Sequence, residues 1–170
     1  DTYYLGPNMT PMEIIARMVR RYRQMYTPDM HKRAQRLGLT DLEVLTLASM
    51  IEKEAISGTE KPIISSVFHN RLRKGMRLQS DPTAIYGIEG FRRDITPDDL
   101  KRDTLYNTYL HKGLPPGPIC NPDRDSIMAA LWPEETTHLF FVSKGDGHHF
   151  FSTSLREHNE AIHRSKMLHR

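Results

Sequence analysis

A single cysteine, Cys120, stands among 170 residues, so no disulfide can close within the chain, and the redox compartment stays open, the periplasm included. No apolar run approaches the ~20 residues that a helix needs to cross a bilayer. Internal repeats and low-complexity tracts are absent too, which excludes solenoid arrays and long disordered linkers. Nine histidines invite a metal reading, but none falls in His-Glu-x-x-His spacing, and His158 and His163, five apart, leave a common helical face. Neither metal nor cofactor is expected. The net charge of +3 is mildly basic and suits an acidic partner. Outside Arg17–Arg23 and Arg71–Lys74 the basic residues are dispersed, so nucleic acid is not an expected partner. The first residue is Asp1, with no Met and no signal-like stretch, and the chain is expected to be a piece cut from a longer protein.

What is present suits one globular domain over 1–170, with 38% hydrophobic and 26% charged residues. Thr10, Pro11 and Glu13 have capping-box spacing and open a helix whose apolar positions Met12, Ile15, Met18, Val19 and Tyr22 run to about Tyr26, where Pro28 closes it. A shorter helix over His31–Leu37 ends at Gly38. Thr40 and Glu43 form a second capping box and launch a helix to Ile56. Pro62 opens an amphipathic helix through Ile64, Val67, Phe68 and Leu72, ended by Gly75. Asp81-Pro82 starts a helical turn, residues 87–93 read as a short extended piece, and Thr96-Pro97 opens a brief helix. The prolines within 113–119 make that segment a rigid loop. A helix over about Arg124–Leu131 follows, stopped by Trp132-Pro133. His138–Ser143 and His148–Thr153 flank Gly145-Asp146-Gly147 as a hairpin, and a polar helix runs from about Ser154 to His169. The tally predicts an α+β fold, mostly helical, with a small antiparallel hairpin near the C-terminus.

Helical geometry places Val44, Ala48, Ile51 and Ala55 on one apolar face, edged by Leu47 and Leu45, and turns Glu52 toward that face. Glu54 points elsewhere and reads as a partner for an Arg or Lys. A buried Glu carries a raised pKa and can donate a proton near neutrality, so Glu52 is a candidate general acid; the alternative is a border Glu that reaches water or an Arg. Other polar clusters are Gln79 with Asp81, Tyr106-Asn107-Thr108-Tyr109, and His149 on the hairpin.

Taken with the Gly113-Leu-Pro-Pro-Gly117 loop, these stretches resemble the YceG-like endolytic murein transglycosylases. The matching residues are Ala48–Glu54, Ser66–Leu72 with Asn70 and Arg71, Met76–Thr83 with Gln79 and Asp81, Tyr106–Tyr109, Gly113–Ile119, and the segment from His149 to Asn159. The resemblance spans about Asp1 to Asn159 and lacks the family's membrane helix and LysM-like subdomain. It implies non-hydrolytic cleavage between N-acetylmuramic acid and N-acetylglucosamine of peptidoglycan glycan strands, leaving 1,6-anhydro ends, with the length of nascent strands set by the cut. It further implies a periplasmic domain of a protein anchored in the inner membrane, with peptidoglycan synthases as partners. A hydrolysing glycosidase uses two carboxyl groups, whereas closure by the sugar's own C6 hydroxyl needs one that serves as acid and then base; Glu52 is expected to fill that role. Gln79, Asp81, Tyr106, Asn107, Tyr109, His149, Asn70 and Arg71 are expected to bind substrate. A non-catalytic peptidoglycan-binding module, holding sugars with Tyr106, Tyr109 and Trp132, is the rival reading.

Overall fold

Local capping chemistry sets where the helices begin in the computed structural model, which describes residues 3–90 and 94–168. The chain divides into two compact units, 1–41 and 42–170. In the first, Thr10 caps α1 (Pro11–Met25): Thr10 N donates to Glu13 Oε2 at 2.7 Å, and Glu13 N donates back to Thr10 Oγ1 at 3.3 Å. The second helix, α2, covers Pro28–Leu37 rather than starting at His31. Thr27 supplies its cap and Pro28 its first residue, so the proline that ends one helix opens the next. Gly38 closes it in the left-handed conformation at φ 72°.

The second unit is built around α3 (Asp41–Glu54), which stops two residues short of the expected Ile56. From Val44 to Ile51 this helix has only Leu45 outside the buried class; Thr46, Ser49 and Met50 are as buried as Leu47. A helix buried nearly all round belongs to the middle of a core, not to its edge. Three further helices belong to this unit, α4 (Lys61–Arg73), the single-turn α5 (Asp81–Ile85) and α6 (Arg124–Leu131), with α4 and α6 packed on each other and each bonded to Glu52 of α3. Ile64, Val67 and Phe68 of α4 and Ile127, Ala130 and Leu131 of α6 complete the apolar core. Across these two helices the His69 ring meets Ala130 O at 2.8 Å.

The hairpin is the expected one, trimmed at its ends: β1 (Phe140–Ser143) pairs antiparallel with β2 (His149–Ser152), Phe140 opposite Ser152 and Ser143 opposite His149. Phe141 meets Phe68 of α4 edge-on at 6.0 Å, and α7 (Leu155–Leu168) covers the hairpin, with Ser165 Oγ donating to Ser143 O at 2.7 Å. Residues 87–90 form turns instead of the expected extended piece; 91–93, and His169 at the end of the predicted last helix, lie outside the described residues. Residues 113–119 carry no regular element, as three prolines dictate. The fold is therefore mostly helical with one small antiparallel sheet near the C-terminus. No helix among the described residues is long and apolar enough to cross a membrane.

Candidate active site

Two acidic residues end α3, and their surroundings differ. Glu52 leaves the helix on the side of Leu45, the less buried flank, and its Oε2 accepts three hydrogen bonds: from Lys61 Nζ at 3.1 Å, Asp123 N at 3.2 Å and Ser126 Oγ at 2.5 Å. Lys61 Nζ also donates to Asp123 Oδ2 at 2.7 Å. Burial alone would depress the Lys61 ammonium and raise the Asp123 carboxyl, but the bonds of Lys61 to Asp123 and Glu52 raise its pKa, and Lys61 with Ser126 N holds the Asp123 carboxyl low. Asp123 is the N-cap of α6, accepting from Ser126 N at 2.7 Å. Glu52 is thus a tie between α3, α4 and the start of α6.

Glu54 sits where the sequence reading put Glu52. It follows Leu47 by seven residues, Met50 by four and Ile51 by three, so it extends the fully buried stripe of α3. Its Oε1 accepts from Ser80 Oγ at 2.6 Å. The residue keeps part of its surface open, but loss of hydration around the carboxyl pushes its pKa up to about 7; the Ser80 hydroxyl pulls against that shift, the charge of Asp81 adds to it, and Arg71 opposes it. No group that bonds to Glu52 bonds to Glu54 among the described residues.

The segment facing Glu54 is held from behind. Gln79 has a left-handed backbone, φ 49°, unusual for a residue with a Cβ. Arg71, buried in α4, fastens this turn and the hairpin together: Nε donates to Leu139 O at 2.6 Å, while Nη1 donates to Leu78 O at 2.8 Å and Gln79 Oε1 at 3.4 Å. Gln79 N donates to Thr108 O at 3.1 Å and Ser80 N to Thr108 Oγ1 at 3.0 Å. The Thr83 hydroxyl completes a buried set, donating to Ser80 O at 2.6 Å and lying 2.8 Å from Thr108 Oγ1. Such strain in a turn persists only when its surroundings overdetermine it, and these bonds do so.

Around this centre the predicted site residues separate into two groups. Gln79 and Asp81 are exposed, Tyr106 and Tyr109 half-buried. The Tyr109 hydroxyl donates to Asp81 Oδ1 at 2.5 Å; burial, with Asp81 assisting, raises its pKa. Tyr106 leans on Tyr86 with ring centroids 4.6 Å apart, and its hydroxyl comes so near Gly117 that a Cβ there would lie 3.4 Å away, which brings the Pro-Pro-Gly loop against this aromatic pair. Ile119 N fastens the loop to α3 by donating to Ser49 Oγ at 3.0 Å. The other four are buried. Asn107 Nδ2 donates to Leu100 O and Arg102 O, Asn70 Nδ2 to Thr136 O and His138 O, and Arg71 binds the carbonyls already named. The ring of His149 lies 2.8 Å from Glu60 Oε2, and its backbone N–H reaches Oε1 at 3.1 Å; burial works against ionising Glu60, but these contacts hold its pKa below the ordinary value. These side chains hold backbone or a buried carboxylate, with little surface left to meet a ligand.

Trp132 lines a separate cleft of about 280 Å³ with Lys61, Pro62, Asp125 and Met128, and none of the Glu54 cluster borders it. No group of three or more His, Cys, Asp or Glu able to hold a metal occurs among the described residues. Two residues of this cluster that the sequence did not single out as site candidates are Glu54 and Ser80. Glu54 lies on the line of Leu47 and Ile51, but α3 is buried almost all round, so that line did not mark it, and Ser80 had no signal apart from its neighbours.

Residues 1–164 match the YceG-like family. A Bacillus subtilis (strain 168) protein named endolytic murein transglycosylase is 39% identical over 158 residues, which cover 91% of this chain and 43% of that protein. A protein of the same name from Streptococcus pneumoniae serotype 2 (strain D39 / NCTC 7466) is 32% identical over 131 residues, 74% of this chain and 24% of the other. The 2.6 Å crystal structure of the yceG-like protein lmo1499 from Listeria monocytogenes superposes with a TM-score of 0.83 at 37% identity, covering 94% of this chain and 51% of that one. The chain spans less than half the length of these two curated relatives.

Proposed function

The chain belongs to the YceG-like family, and from that premise we propose that it carries out endolytic murein transglycosylation with Glu54, not Glu52, as the acid and base. The choice rests on one environment: Glu54 keeps part of its surface open and accepts only from the Ser80 hydroxyl among the described residues, and loss of hydration pushes its pKa up to about 7, so an appreciable fraction of the carboxyl holds a proton near neutrality. Glu52 instead ties α3 to α4 and α6, its Oε2 accepting from an ammonium, a hydroxyl and a backbone N–H.

In the proposed reaction Glu54 protonates the glycosidic oxygen between N-acetylmuramic acid and N-acetylglucosamine as the C1–O bond breaks, and the departing sugar keeps that proton on its 4-hydroxyl. The carboxylate then accepts the proton of the C6 hydroxyl as O6 bonds to C1. A 1,6-anhydro ring results, Glu54 is again protonated, and no water is consumed. Burial serves both steps, because it makes the acid form available and the carboxylate a stronger base than an exposed Glu. Asp81 is engaged by the Tyr109 hydroxyl, and its charge favours the proton on Glu54. Gln79, Asp81, Tyr106 and Tyr109 contact the strand in this reading, while Asn70, Arg71, Asn107 and His149 shape the walls.

The substrate places the reaction on the periplasmic side of the inner membrane, where cuts in nascent strands beside the synthases set strand length. Intact peptidoglycan incubated with the protein in H₂¹⁸O tests the chemistry by mass spectrometry. Anhydro-ended fragments without ¹⁸O are expected. Fragments with ¹⁸O at a reducing end would mean hydrolysis, and glycan retained without any fragment would mean a binding module.

A further inference from the structure

The Glu54 carboxyl has two oxygens and only one visible partner. Ser80 Oγ donates to Oε1 at 2.6 Å, and no other hydrogen bond to the carboxyl is formed among the described residues. A hydroxyl that donates to one oxygen makes that oxygen the poorer place for a proton, since the proton and the donor would compete for the same region. We propose that Ser80 is a positioning residue that fixes Oε1 as the accepting oxygen and leaves Oε2 as the oxygen that exchanges its proton with the sugar. The proposal rests on Glu54 being the acid and base, and adds which of its oxygens acts and what holds it.

Ser80 is equipped for this by everything around it. It is 1% exposed, so its hydroxyl has no route to bulk water. Its N–H is fixed by Thr108 Oγ1 at 3.0 Å and its carbonyl by Thr83 Oγ1 at 2.6 Å, which anchors the backbone from which its hydroxyl reaches Glu54 Oε1. The strained Gln79 immediately before it, clamped through Leu78 O by Arg71 of α4, sets the path of the chain into that position. Three charged or titratable groups face Glu54 besides: Asp81 from α5, Arg71 from α4 and the Tyr109 phenol. Asp81 favours the proton on Glu54 and Arg71 disfavours it, so Ser80 is the neutral contact that decides geometry between two opposed charges.

A hydrogen bond to an ionised group contributes about 1.5–3 kcal/mol, so deleting it should tighten the proton on Glu54 by at least about tenfold, an upward move of about one pH unit. The test is a carboxyl-carbon NMR titration of Glu54 in the wild type, Ser80→Ala, Ser80→Thr and Ser80→Cys, with Glu54→Gln giving the assignment. Wild-type and Thr variants should titrate together, Ala should titrate higher, and the alkaline limb of the cleavage rate should rise with it. Cys, which keeps the volume but donates weakly, should fall between them and serves if Ala does not fold. An unmoved Glu54 midpoint in Ala or Cys overturns the proposal. Failure of the underlying reading is a separate result, namely Glu54→Gln retaining cleavage, and the titration is read without any turnover.

Discussion

Replacing Glu54 by Gln should stabilise the protein at neutral and alkaline pH while abolishing turnover. Folding moves this carboxyl from an ordinary pKa of 4.5 to about 7. The gap is about 2.5 pH units, which at about 1.36 kcal/mol each amounts to about 3 kcal/mol, trimmed to about 2–3 kcal/mol because Glu54 keeps some surface in water. The sign follows from which state holds the proton more tightly. Below the unfolded value both states are protonated and nothing is lost; as pH rises through 4.5 toward 7 the unfolded chain ionises first, and folded stability declines until both states are ionised. Gln has no such dependence and still accepts the Ser80 hydroxyl. Urea unfolding, followed through the fluorescence of the single tryptophan, Trp132, should show the two proteins alike near pH 4 and Gln ahead by about 2–3 kcal/mol at pH 8. The corresponding rise in melting temperature is roughly 4–12 °C for a chain of this size. Equal stability at both pH values, or a gap that does not change with pH, would refute the claim that burial strains this carboxylate.

Glu52→Gln should do the reverse, leaving cleavage largely intact and costing about 1–3 kcal/mol in urea, because Lys61 then keeps only Asp123 as a charged partner. Asp81→Asn removes the negative charge that favours the proton on Glu54, so the Glu54 midpoint should move to lower pH, opposite in direction to Ser80→Ala; carboxyl NMR reads both. Glu60→Gln should cost about 1–3 kcal/mol at neutral pH. That contribution is present above the ordinary 4.5 and fades as pH falls through the lowered folded value, so wild type and variant should converge in acid.

Elements defined by local chemistry were legible in the sequence. Thr10 with Glu13, Asp123 before α6, and two aromatic runs about a Gly-Asp-Gly turn each need only their neighbours to take shape. The second helix starts earlier than the spacing predicts because Pro28, which cannot continue α1, suits the first position of α2 behind the Thr27 cap. Which of Glu52 and Glu54 the fold encloses could not be read from the sequence for a deeper reason. A hydrophobic face can be assigned only when a helix has a dry side and a wet one, and α3 is buried almost all round before its last turn. Its apolar pattern is therefore nearly isotropic and does not say which acid is enclosed. The partners differ and come from other elements: Lys61 of α4 and Ser126 of α6 for Glu52, Ser80 for Glu54. The same distance hid the clamps. Arg71 binds a carbonyl 68 residues on, and His149 meets a carboxylate 89 residues back, so spacing offered no hint that these polar side chains were already satisfied.

Side-by-side cleavage by Glu54→Gln and Glu52→Gln tests the central claim most directly. With intact peptidoglycan strands and anhydro-ended products counted by mass spectrometry, the account predicts that Glu52→Gln keeps a rate within about tenfold of wild type while Glu54→Gln loses at least the roughly 10²–10⁴-fold that a positioned acid and base supplies. Loss in Glu52→Gln with a folded protein, together with retention in Glu54→Gln, would contradict it.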